Sequence, residues 1–319
     1  MEKKKLKIAF LSRYQDEVSR GAETYVLELS RRLQQSYQVY ILKGKDSDSF
    51  QKMIKGGYGL IIPVNGRAQA LKASLGRIWS GYKLIISGQA GIGKDDIWNI
   101  LFTAPDIYVA LTDFEKQWVQ KWTLGTKIVK IPNGVDLQRF KPGQKVNIDL
   151  PKPIILSVGA LQWYKHHELS IKAVSKMDNG SLLIIGLGPE YQSLNNLGQS
   201  LLGKRFKILE VKFSDIDKYY RSADVFVLPS WDRESFGIVY LEAMASGIPV
   251  VAPNDPPRRE IVGEAGIFVD VNNIKEYAQA IDKALEVEWG EKPRKQAEKF
   301  SWDKIANEYV NLIKGMLKS

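Results

Sequence analysis

The sequence has 319 residues, 44 % apolar and 26 % charged, which suits a globular chain with room for two cores of about 150 residues each. It has no cysteine, which excludes disulfides and thiolate metal sites and favours a reducing compartment. The net charge of +10 is uneven: residues 1–145 carry 24 Lys and Arg against 13 Asp and Glu, and residues 146–319 carry 22 against 23.

A basic first half points to an anionic partner such as a membrane surface or a lipid diphosphate, although solubility accounts for part of the charge. No base-reading motif or basic-aromatic array occurs, so no nucleic-acid partner is expected. The basic start, Met1 to Leu11, has too short an apolar stretch for a signal peptide, and no run approaches the roughly 18 residues of a membrane span. A cytoplasmic location is expected, with peripheral contact to the inner face of the membrane as its extension.

In chain order, 5–12 reads as a buried strand, and 22–33 carries Tyr25, Val26, Leu29 and Leu33 at helical spacing. The turn between them ends in Arg20-Gly21-Ala22-Glu23. A glycine there can bring a phosphate onto a helix N-terminus, though turns use glycine for geometry alone as well. Strands follow at 38–43, 60–64, 84–87 and 107–111, with helical segments such as 68–80 between them. This alternation predicts a parallel sheet covered by helices, with ligands at the C-terminal strand ends.

Gly88 to Asp95 nearly completes the phosphate-loop pattern G-x-x-x-x-G-K-[ST]. Asp95 stands where a hydroxyl would hold magnesium, and a carboxylate there adds negative charge beside the phosphates. A nucleoside-triphosphatase is therefore the least favoured reading, and Gln89 is expected to line a ligand cleft. Strand 127–131 ends in Pro132-Asn133-Gly134, an Asn-Gly turn, and the polar, proline-bounded stretch 143–153 reads as a linker. The expected domains are 1–145 and 146–300, with a final helical segment 301–319 packing back on the first.

The second half opens with a buried strand, 153–161, then Lys165, His166, His167 and a helix through Met177. A lysine at the mouth of such a strand can neutralise a diphosphate, although most lysines are solvated. Adjacent histidines do not share a helix face, so His166 and His167 read as a helix start. Strands at 181–186, 206–209, 225–228, 250–252 and 266–269 complete a second alternating set. Ser301 is placed to cap a last helix, 305–317.

The most informative stretch runs from 224 to 251. Val225 to Leu228 reads as a strand buried on both faces, and Gly237 opens a helix that Gly247 closes. Free amides around Ser235, Phe236, Gly237 and Ile238 offer an anion site, and Gly237 lets a ligand approach the backbone. Glu234 and Glu242 lie eight residues apart. A single Glu is by default a surface charge, yet Glu242 sits between Leu241 and Ala243-Met244-Ala245, without an obvious solvent face. Amides for phosphate and carboxylates for hydroxyls suit a sugar nucleotide.

The stretch Glu234-Ser235-Phe236-Gly237 through Glu242 and Gly247-Ile248-Pro249-Val250-Val251 resembles the E-x7-E signature of the retaining glycosyltransferases of family 4. The resemblance implies an α/β chain of the GT-B fold, two doubly wound Rossmann-like domains facing a central cleft. It implies a sugar moved with retention from a nucleotide-diphosphate sugar to a glycan or lipid-linked acceptor in cell-envelope or glycoconjugate synthesis. No cofactor and no obligatory metal are implied.

By the same resemblance Glu234 faces the donor sugar, Glu242 holds the ribose and Lys165 grips the diphosphate, making Glu234 and Lys165 the catalytic pair. Gly21, Arg20, Ser235, Phe236, Gly237 and Ile238 complete the donor site, with Gln89 and Asn133 on the acceptor side. Glu260 matches a glutamate that holds the loop. The chain departs from the family at three positions. Arg20 replaces the first glycine of Gly-Gly-x-Glu, Ala160 replaces an arginine, and the first half has no histidine, so Gln89 can hydrogen-bond where the family has one but cannot act as a base. Arg20 is expected to supply the charge missing at Ala160. The rival is a non-catalytic sugar-nucleotide or glycan-binding protein of the same fold, favoured by Ala160 and the missing histidine; a GT-B epimerase or phosphorylase ranks lower.

Overall fold

The computed structural model describes residues 5–17, 21–64, 66–123, 125–230 and 234–318, with the side chains of 94–96 outside the description. Two compact units divide the chain: Met1–Gly134 with Trp302–Ser319, and Val135–Ser301. The division falls upstream of the boundary expected at 145/146. Residues 135–145 belong to the second unit because Val135 bridges Ser301, Phe140 is buried against Tyr220, and Arg294 donates to the carbonyls of Leu137 (3.0 Å) and Phe140 (2.6 Å).

Among the described residues the first unit holds one parallel sheet of six strands: β1 Lys7–Ser12, β2 Gln38–Lys43, β3 Leu60–Pro63, β4 Lys83–Ser87, β5 Ile107–Ala110 and β6 Lys127–Lys130. Their order is β2-β1-β3-β4-β5-β6. Strands β3 and β5 are buried at every residue, the pattern of a sheet covered on both faces. The C-terminal helix begins at Trp302, three residues before the expected start. Trp302, Ile305, Ala306, Tyr309, Ile313 and Met316 form one buried stripe, and the Tyr25 hydroxyl donates to that of Tyr309 at 2.9 Å.

The second unit holds β7 Ile154–Val158, β8 Ser181–Ile185, β9 Phe206–Leu209, β10 Val225–Val227, β11 Val250–Pro253 and β12 Gly266–Val269. The order is β12-β11-β10-β7-β8-β9, parallel throughout. The chain builds outward from β7 to β9, then returns to the other side of β7 with β10. In open parallel sheets that reversal leaves a crevice at the C-terminal ends of the two central strands, where ligands bind. The sequence after β7 contains Lys165, and the sequence after β10 contains Glu234. No described helix is long and apolar enough to cross a membrane.

Candidate functional site

Sheet order brings together two residues 69 positions apart. Lys165 ends the one-turn helix Trp163–Lys165 beyond β7, and its Nζ lies 2.5 Å from Glu234 Oε2, with side-chain exposures of only 16 % and 10 %. Two further bonds tie the loops down. Ser230 Oγ donates to the carbonyl of Tyr164 at 3.2 Å, and the buried Arg258 donates to the carbonyls of Ser230 (3.3 Å) and Glu234 (3.1 Å). Arg258 is held by the helix Pro256–Val262, whose N-cap Asp255 accepts from the Arg258 amide at 2.9 Å and sits 3.2 Å from its Nε. One guanidinium thus fixes both flanks of residues 231–233.

The helix Ile238–Ala245 follows Gly237, whose φ of +86° favours glycine. A Cβ at this position would stand 2.6 Å from the Tyr240 ring, and Tyr240 is anchored by its hydroxyl to the carbonyl of Leu228 at 2.7 Å. Gly237 therefore fits a tightly filled corner, and the first amides of the helix open from it. Phe236 is buried 6.2 Å from the Phe300 ring, Ile238 is buried, and Ser235 is half-buried between Glu234 and that corner.

Glu242 is 6 % exposed and accepts from the Tyr220 hydroxyl at 2.7 Å. Burial pushes its carboxyl above the usual range, opposed by the Tyr220 bond and by the Arg139 guanidinium. Burial and the Glu242 charge together push the Tyr220 hydroxyl up. A buried carboxylate with one oxygen engaged by a tyrosine keeps capacity to accept from a ligand hydroxyl.

His167 starts the helix His167–Val174, as the sequence reading expected. It is buried, its Nδ1 lies 3.1 Å from Ser157 Oγ, and burial, aided by Lys165, pushes its pKa down to about 4. It is a neutral packing residue under the lysine loop.

In the first unit Gly21 begins the helix Gly21–Leu33 and is exposed, whereas Arg20 lies outside the described residues. Gln89 and Asn133 meet as a reciprocal amide pair, each donating to the other's oxygen at 3.0 Å, with Gln89 also donating to Ser87 Oγ. Beneath this loop lies Glu115, 2 % exposed, accepting from Tyr108 (2.9 Å) and the Leu111 amide (2.7 Å). A Cβ on Gly88 would overlap its carboxylate. The Lys94 and Asp95 side chains of the near-phosphate loop lie outside the description.

Sequence reasoning passed over Arg258, Tyr220 and Glu115. Glu115 had a signal, Thr112-x-x-Glu115, in which Thr112 caps the helix Asp113–Gln120. Arg258 stood beside Arg259 with nothing to separate them, and the structure assigns the loop carbonyls to Arg258; Glu260 is half-buried on the same helix. Among the described residues no three His, Asp or Glu side chains gather as a metal site. The second unit thus offers an ammonium, two sheltered carboxylates and helix amides around the crevice end of its sheet.

Residues 139–301 match the family model described as glycosyl transferases group 1. An uncharacterized glycosyltransferase of Methanocaldococcus jannaschii is 37 % identical over 186 residues, which cover 54 % of this chain and 47 % of that protein, so the match spans about half the relative's length. Among solved structures, sucrose-phosphate synthase from Thermosynechococcus elongatus superposes with a TM-score of 0.84 at 21 % identity over 98 % of this chain and 99 % of that one. Anabaena HepE, solved in complex with UDP and glucose, gives 0.80 at 16 % identity over 97 % and 100 %. At these identities the two structures speak for the fold.

Proposed function

We propose a donor, a reaction and a set of site residues on one premise: the chain belongs to the family of glycosyl transferases, group 1, and has its two-unit GT-B architecture. The protein moves a hexose, with retention at the anomeric carbon, from a nucleotide-diphosphate sugar to a glycan or lipid-linked acceptor of cell-envelope or glycoconjugate synthesis. The observation that carries this reading is the sheltered Lys165–Glu234 pair at the reversal of the second sheet, beside the helix that bears Glu242.

The donor diphosphate lies against the first amides of the helix Ile238–Ala245 and competes with Glu234 for the Lys165 ammonium. Lys165 and those amides take up the charge of the departing diphosphate without an obligatory metal, and Gly21 and Arg20 are proposed as further donor-site residues. Glu234, freed from the lysine, accepts from hydroxyls of the sugar, and Glu242 accepts from the ribose. Ser235, Phe236 and Ile238 shape the backbone that meets the phosphates. The anomeric C–O bond to the diphosphate breaks as the acceptor oxygen bonds on the same face, and the acceptor proton passes to the departing diphosphate. Gln89 and Asn133 supply amide groups on the acceptor side.

The test is a transfer assay with the nucleotide sugar that the protein accepts, read by NMR at the anomeric centre. Retention is expected; an inverted product contradicts the reading. Glu234→Ala should lower transfer by at least about a hundredfold, the usual order for losing a positioned polar group, while nucleotide affinity changes little. Equal losses in both quantities would assign Glu234 to nucleotide binding alone. The non-catalytic rival, for which Ala160 speaks, requires nucleotide binding with neither transfer nor donor hydrolysis.

A further inference from the structure

The first unit has a face that the donor and acceptor residues leave unused. The helices Arg67–Ser80, Lys94–Thr103 and Asp113–Gln120 each follow a strand of the parallel sheet, so their C-terminal ends gather where the strands begin. Side-chain bonds fix the first two together: Ser74 Oγ donates to the Thr103 carbonyl at 2.7 Å, and Arg77 to the Ala104 carbonyl at 2.8 Å. Between these ends lies an open cleft of about 640 Å3, lined among others by Ile78, Lys83, Pro105 and Thr126.

Large apolar side chains crowd this end on the outside. Ile78 is 72 % exposed, Trp79 65 % and Phe102 57 %, joined by Leu75, Leu101 and, just beyond the third helix, Trp122. Scattered exposed apolar residues are ordinary, whereas a set gathered at one end of adjoining helices marks a contact surface. The charge around it is mainly positive. From residue 49 to residue 94 the sequence has seven Lys and Arg and no Asp or Glu. Lys55, Lys121 and Lys127 are exposed there, and the acid that borders the cleft, Asp106, is engaged by Lys83 (3.1 Å) and Arg77 (3.4 Å).

We infer that this face docks the protein on an anionic phospholipid bilayer, with Ile78, Trp79, Leu101 and Phe102 entering the headgroup region and the surrounding lysines meeting lipid phosphates. Aromatic tips ringed by long cationic side chains match a fluid anionic surface, where rings settle at the headgroup level. The inference goes beyond the proposed reaction, because Gln89 and Asn133 follow the C-terminal ends of β4 and β6, at the opposite end of the sheet from this face. Its test is separable from that of the reaction.

The full chain is sedimented with phosphatidylcholine vesicles and with vesicles one-quarter phosphatidylglycerol, at about 0.1 M and about 0.5 M salt, a range that shortens the screening length about twofold. Two variants run alongside: Ile78→Ser/Trp79→Ser/Phe102→Ser, and Lys55→Gln/Lys121→Gln/Lys127→Gln. Binding is expected on anionic vesicles, at least about tenfold weaker on neutral ones and at high salt, and at least about tenfold weaker for each variant, on the order set by the per-lysine contribution. Circular dichroism and nucleotide calorimetry of both variants should match the parent. Failure of the parent to bind anionic vesicles, or parent-like binding by the apolar variant, overturns the proposal. So does a parent dimer that the apolar variant converts to monomer, because a second copy would then occupy the face. Absence of nucleotide binding in the parent would sink the proposed reaction and leave the lipid result standing.

Discussion

His167 shows how closely a residue beside the lysine loop is governed by its surroundings. Its pKa of about 4 in the folded chain lies below the unfolded value near 6.5, so the unfolded state takes up the proton first as pH falls. The stability that a neutral His167 contributes is complete above about pH 6.5 and is lost progressively toward pH 4, amounting to about 2 kcal/mol between pH 7 and pH 5. The chain has only two histidines, so an NMR titration of both rings reads the value directly. His167 should remain neutral well below pH 6, and denaturant midpoints at pH 7 and 5 should differ less in His167→Asn than in the parent. A His167 ring that titrates near 6.5 would contradict this placement. At the same scale, Glu242 could be singled out in the sequence because its neighbours gave it no solvent face, and it is buried. Its partner Tyr220 could not, since a tyrosine 22 residues upstream on another helix has no local mark.

The helix Ile238–Ala245 is the element on which the candidate site depends, and its geometry starts at Gly237. Gly237→Ala would force a side chain into the left-handed region and against the Tyr240 ring, at a cost of about 1–3 kcal/mol. Urea unfolding of the second unit should register that loss, and an unchanged midpoint would mean that the corner is less rigid than its contacts imply. Elements such as this one were legible because their signals are local: an apolar run for β10, a glycine at each end of the helix, alternation of strand and helix for the sheet class. The meeting of Lys165 with Glu234 was not, because it depends on strand order, and the reversal beside β7 leaves no trace within either loop. Gln89 and Asn133 were each named as acceptor-side residues, but their mutual amide pair rests on β4 lying beside β5 and β5 beside β6.

Across the whole molecule, each unit has its own apolar core, and the last helix of the chain belongs to the first unit, where Tyr309 packs against Tyr25 of the helix Gly21–Leu33. Tyr309→Ala removes a buried ring and the bond to Tyr25, a loss of about 3–5 kcal/mol. Hydrogen exchange should quicken through residues 5–134 and 302–318 and stay near the parent rate in 135–301; uniform quickening would mean that the chain unfolds as one body. The family match, residues 139–301, falls wholly within the second unit, which also holds Lys165, Glu234 and Glu242. The most direct test is therefore calorimetric titration of the purified chain with UDP, GDP and ADP, and with their sugar conjugates, beside Glu242→Ala. Selective binding of one nucleotide, abolished in Glu242→Ala, is the predicted result. Binding that survives Glu242→Ala, or no binding of any nucleotide, would contradict the placement of the donor on the second unit.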